Sequence, residues 1–141
     1  MGMMVGILLA LAVSILAGTV GWDRDRSFYP VVLVVVASTY ELFAAISGSI
    51  EIFGLETIGF LGFVALSVLG FKKNLWLVVV GLAGHGLFDL VHAHVIADHG
   101  VPVWWPGFCS SYDIVAAGYL GWFLTRSRRI LSIDGKAGEH A

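Results

Sequence analysis

Five apolar stretches, each about as long as a bilayer is thick, follow one another along this chain with only short polar connections between them. A helix needs roughly 20 residues to span the hydrocarbon core, and there every backbone N–H and C=O must be bonded within its own segment. The stretches run over 3–20, 30–48, 52–71, 74–97 and 108–125. They predict an all-α fold: a polytopic membrane bundle of five transmembrane helices. Composition agrees, since 13% of the 141 residues are charged, against roughly 25% in a soluble domain. With a formal charge of −2 and no long basic tract, nucleic acid is not an expected partner.

The first stretch, "MVGILLALAVSILAGTV", has no Lys or Arg ahead of it and no small-x-small cleavage pattern. It reads as a retained helix rather than a signal peptide. The connections "GWDRDRSFY", "SGS", "KKN" and "DHGVPVWWPGF" leave no room for a soluble domain. The expected organisation is a five-helix transmembrane domain over 1–126 and a short flexible cytoplasmic tail over 127–141. Arg24 and Arg26, Lys72 and Lys73, and Arg126, Arg128 and Arg129 all fall on one side of a five-pass chain. The positive-inside rule makes that side cytoplasmic, with the N-terminus outside and the C-terminus in the cytoplasm. Trp104 and Trp105 then suit an outer interfacial belt, or a lid over a site, and Trp22 and Trp76 an inner belt.

Ionisable side chains within membrane helices are costly and mark functional sites by default. The fourth stretch holds "GHGLFDLVHAHVIADHG". At 100° per residue His85, Asp89 and His92 lie within about 60° of one another, whereas His94 points roughly opposite to His92. Counting residues from the helix ends places Glu41, Glu56, Asp89, His92 and Asp113 at overlapping depths on four helices, with His85 near the midplane. Glu51 lies roughly 140° from Glu56 and at the interface. Cys109 sits one turn from Asp113 and reads as a packing residue or a ligand.

A mixed carboxylate and imidazole cluster suits one or two divalent metals (Zn, Fe or Mn). The expected ligands are His85, His92, Asp113 and Glu56, with Glu41 and Asp89 as catalytic acid or base groups. A metal-free alternative pairs Asp89 with His85 or His92, and Glu41 or Asp113 with Tyr40, Tyr112 or Tyr119, as a proton relay or a purely structural network. Gly81, Gly84 and Gly86, and Gly59 and Gly62, are expected to permit close helix packing.

At "GHGLFDLVHAHVI" and "GVPVWWPGFCSSYDI" the chain resembles a family of short bacterial integral membrane proteins with no assigned function. The resemblance implies a prokaryotic plasma-membrane protein and no particular reaction. In type of site it is similar to ceramidase-like membrane metallohydrolases, which implies metal-assisted hydrolysis of a lipid with Glu41 or Asp89 as base. Membrane isomerases and terpene cyclases offer a metal-free parallel, with paired acids protonating an isoprenoid. Three functions are therefore expected in competition. One is a membrane enzyme on a lipidic or isoprenoid substrate, another a small transporter or proton-coupled subunit. The third is a structural subunit without chemistry, and assembly into a homo-oligomer is compatible with each.

Overall fold

Aspartate, glutamate and histidine side chains are buried in this molecule while leucines and valines cover its outside, the reverse of a water-soluble protein. Glu56, His85, Asp89, His92 and Asp113 are inside; Leu8, Ile15, Val31, Ile58, Leu61, Leu87 and Leu90 face out. The chain is an integral-membrane helical bundle. The computed structural model describes the backbone of residues 1–138 and the side chains as far as residue 127. Most of the expected tail over 127–141 is described in backbone only, as the continuation of α5 to Gly138; residues 139–141 and the side chains of Arg128 and Arg129 lie outside the described residues.

Five helices follow in order: α1 (Gly2–Val20), α2 (Phe28–Ser47), α3 (Ile50–Lys72), α4 (Trp76–Val95) and α5 (Trp105–Gly138), with a short 3-10 turn at Trp22–Arg24. The first four are long and apolar enough to cross a membrane. In α5, Pro106, Ser110, Ser111 and Asp113 dilute the apolar character that its length would otherwise support. The helix limits fall within three residues of the expected ones except at the end of α5, which continues to Gly138 where 125 was expected. α4 ends at Val95, two residues short of the expected 97, and His99 lies in the following loop. α5 begins inside the expected loop, with Pro106 in its first turn, where a missing N–H is tolerated.

Local chemistry explains the turns. Gly21 and Gly48 close α1 and α2 in the left-handed region, at φ +88° and +73°, where a Cβ would be strained. Ser49 Oγ accepts from the Ile52 N–H and caps α3. At the other end of α3, Arg26 donates to the Phe71 and Gly70 carbonyls, two of the acceptors a helix C-terminus leaves free. Two residues of the same loop form a tight turn: the Ser27 backbone N–H and hydroxyl donate to Asp25 and hold its carboxyl below the usual range.

Across the bundle the order is α1, α5, α4, α3, α2, with α2 also touching α4. Although consecutive in sequence, α1 and α2 are not packed together. α1 instead lies on α5 through Gly2, Gly6, Ala10, Ser14 and Gly18, small residues four apart on one face. A Cβ at Gly6 would collide with the Phe108 carbonyl and Ser111 Oγ. Ser111 Oγ also donates to the Met3 carbonyl at 3.0 Å. The expected glycine contacts divide. Gly81 seats Leu33, and Gly86 lets α4 approach Ser110 and Asp113 of α5, but Gly59, Gly62 and Gly84 have open space beside them. The α3 patch is therefore no contact within the described chain, because α3 meets its neighbours through other faces.

Toward the basic end, where Arg26 and Lys72 lie, one layer of the interior is apolar. Tyr29, Leu33, Val78, Leu82, Ala116, Ala117 and Leu120 form one buried layer between α2, α4 and α5. Replacing Gly6 with valine should destabilise the detergent-solubilised protein by about 1–3 kcal/mol through overpacking, whereas Gly62→Ala should leave it within about 0.5 kcal/mol of wild type. Reversible unfolding followed by circular dichroism measures both.

Candidate metal centre

The site grows from the inward face of α4. His85, Asp89 and His92 are each 1% exposed, as their i, i+4, i+7 spacing requires once that face turns inward. His85 lies close to the middle of α4, and Asp113 of α5 is completely buried opposite it. The absence of a side chain at Gly86 sets this approach, since a Cβ there would press on the Ser110 carbonyl and Asp113 Cβ.

His85 Nδ1 is 2.6 Å from Asp113 Oδ2 and 3.6 Å from Asp89 Oδ2. Cys109 Sγ, one turn before Asp113, lies 4.0 Å from the same Asp113 oxygen. One ligand atom from each of His85, Asp89, Cys109 and Asp113 falls within 4.8 Å of all the others, and all four residues are buried. One nitrogen, one sulfur and two oxygens form a donor set suited to a divalent transition metal, zinc or iron above all. Ligands at ~2.0–2.3 Å from a tetrahedral ion stand about 3.3–3.8 Å apart, so these four residues would hold an ion only after small side-chain adjustments.

Two atoms give the cluster its chemical character. Asp89 Oδ2 and Asp113 Oδ1 are buried with no hydrogen-bond partner among the described residues. Unpaired buried carboxylate oxygens are expensive, and a cation offsets that cost.

A second pair lies toward the far end of the bundle. His92 Nε2 is 2.6 Å from Glu56 Oε1 of α3, both buried. Tyr40 of α2 joins the two groups: its hydroxyl donates to Asp89 Oδ1 at 2.7 Å, and its ring stacks on His92 at 3.9 Å between centroids. A void of about 10 Å³ lined by Tyr40, Glu56, Phe63 and His85 separates the pairs, at the lower limit of what holds one water. Beyond His92 a cavity of about 330 Å³, with Asp98 and His99 in its lining, opens at the far end.

The residues singled out in the sequence therefore separate. His85, Asp89 and Asp113 meet at one centre, while His92 and Glu56 meet each other beside it. Glu41 is half-buried and outside both groups; Glu51, His94 and His99 are exposed. Cys109 joins the centre. Asp113 pairs with His85 and not with a tyrosine, and Tyr119 donates to Asp23 at 3.0 Å. Trp104 is exposed, whereas Trp105 packs edge-on against Phe43 at 5.0 Å. Tyr40 as the link is new. Its signal was present, because Leu33, Ala37, Tyr40 and Ala44 repeat at helical spacing and are the buried face of α2. That register turns Glu41 about 100° away.

No family model, curated protein or solved structure matches this chain. What stands from the resemblances is the kind of molecule: a membrane-spanning helical bundle with a buried His/Asp cluster of metal-binding character.

Tyr40→Phe keeps the ring stack and removes one O–H. It leaves a second oxygen of Asp89 unpaired, which should cost about 1–2 kcal/mol. Denaturant titration in detergent reads the loss, with Tyr112→Phe as a comparison outside this hydrogen bond.

Proposed function

We propose that this chain is a membrane-embedded, metal-dependent enzyme acting on a lipidic or isoprenoid substrate. The observation that carries the proposal is the pair of unpartnered carboxylate oxygens, Asp89 Oδ2 and Asp113 Oδ1, buried beside His85 and Cys109. His85, Asp113 and Cys109 are the proposed ligands. Asp89 is a further ligand or the acid–base group, oriented by the hydroxyl of Tyr40. A bound divalent cation supplies a Lewis acid for an ester, phosphoryl or hydroxyl oxygen. Around it the bundle excludes water, and the His92–Glu56 pair holds an exchangeable proton one to two turns farther along α4.

The apolar layer from Tyr29 to Leu120 weighs against a transporter. Polar groups reach from the far end to the middle of α4, and the layer beyond them holds no carboxylate or imidazole among the described residues, with Asp23 buried only farther on at the basic end. A purely structural role leaves the two unpaired oxygens without compensation.

In the membrane, α5 is proposed as a fifth pass beside α1 and α4, with the basic end cytoplasmic and the far end outside. The membrane proposed is a prokaryotic plasma membrane. Single cysteines at Ser49 and Lys73 should therefore differ in intact cells. The first should react with a membrane-impermeant maleimide, and the second only after permeabilisation; the opposite pattern reverses the orientation.

Protein purified without chelators should carry close to one equivalent of zinc, iron or manganese by mass spectrometric metal analysis. Asp113→Asn and His85→Gln should each lose most of it, while Glu51→Gln should retain it. Monodisperse wild-type protein that stays metal-free after incubation with all three ions would rule the proposal out.

A further inference from the structure

Charge is divided across this bundle. The basic residues are Arg24, Arg26, Lys72, Lys73 and those from Arg126 onward, so from the level of His85 to the far end the described residues include no Lys or Arg. The same half holds Glu41, Glu51, Glu56, Asp89, Asp98 and Asp113. Charge of one sign around a low-dielectric interior focuses the field and draws in counter-ions, here cations.

That end also has an opening. The cavity of about 330 Å³ lies between the end of α4 and the loop that follows, with His92, Asp98 and His99 in its lining. The loop is seated on α2, since a Cβ at Gly100 would collide with the Phe43 carbonyl. Behind His92 the contacts continue inward. His92 Nε2 is 2.6 Å from Glu56 Oε1, Glu56 and His85 line the same small void, and His85 Nδ1 is 2.6 Å from Asp113 Oδ2.

We infer that this series is the route by which a divalent cation enters the buried centre. The ion is taken up in the far-end cavity, passes the His92–Glu56 pair and is held by His85, Asp89, Cys109 and Asp113. Each stop offers an imidazole or a carboxylate, ligands that zinc and iron accept, whereas hydrocarbon bars a dication from entering sideways. The layer from Tyr29 to Leu120 closes the opposite approach, so the route is blind and serves loading. Passage requires the His92–Glu56 contact to open, which makes that pair the slow step. The inference rests on the metal reading above and names how the same centre is filled.

The test is loading of metal-free, full-length protein in detergent with cobalt(II), followed by stopped-flow absorbance. Cobalt held by imidazole, carboxylate and thiolate absorbs in the visible and near ultraviolet, so arrival at the centre is read directly. Glu56→Gln, which keeps a hydrogen-bonding group opposite His92, should load several-fold more slowly to the same final amplitude. Ala97→Trp, a bulky change at an exposed residue of the cavity, should do likewise. Asp113→Asn should lose the amplitude itself. In vesicles where one orientation predominates, the share of protein filled by external cobalt should match the share in which Ser49→Cys reacts with an impermeant maleimide. Wild-type rates in both Glu56→Gln and Ala97→Trp, or filling that follows Lys73→Cys instead, would overturn the route while leaving the metal centre in place. Absence of bound cobalt in the wild type would remove centre and route together.

Discussion

The contact between His85 and Asp113 is the constraint around which the bundle is arranged. It lies fully inside, and it joins the middle of α4 to α5. A carboxylate at that depth is tolerable only against a partner, so α4 and α5 must meet in this register. Gly86 makes the approach possible, and the small-residue face of α1 holds α5 from its other side. α2 and α3 then complete the enclosure by contributing Tyr40 and Glu56 to the remaining polar groups of α4. Polar residues in this protein are thus the pieces that specify how the helices pair, because the apolar ones are almost as well placed facing lipid as facing each other.

That division explains what the sequence disclosed. Helix number and approximate limits were legible, since a run of apolar residues long enough to span a bilayer has few alternative fates. The inward stripe of α4 was legible for a similar reason: phase alone separates His85, Asp89 and His92 from His94. Partner choice was harder. Depth placed Glu41, Glu56 and Asp113 at one level, but depth does not say which way each helix faces. The answer for α2 lay in Ala37 and Ala44, whose small side chains mark the packed face and carry Tyr40 inward in place of Glu41. The stripe from Gly2 to Gly18 is equally visible in hindsight. Glycines alone do not mark a contact, since Gly59 and Gly62 on α3 have nothing against them.

The two polar groups differ in what they can do. His92 and Glu56 satisfy one another, so their geometry needs no third party. The cluster of His85, Asp89, Cys109 and Asp113 is different in kind, because it gathers donors suited to a cation while two of its oxygens go without a hydrogen. Tyr40 holds the groups in fixed relation by bonding to one and stacking on the other. The polar interior is therefore one connected network with one incomplete end.

The apolar layer beneath that assembly has a consequence for the cell. Buried acids and imidazoles connected to an aqueous face are the materials from which proton leaks are made, and an energised membrane cannot tolerate many of them. Tyr29, Leu33, Val78, Leu82, Ala116, Ala117 and Leu120 interpose a packed, largely apolar layer between the polar groups and the basic end. On the proposed reading the layer is insulation: it stands between the buried acids and imidazoles and one aqueous face.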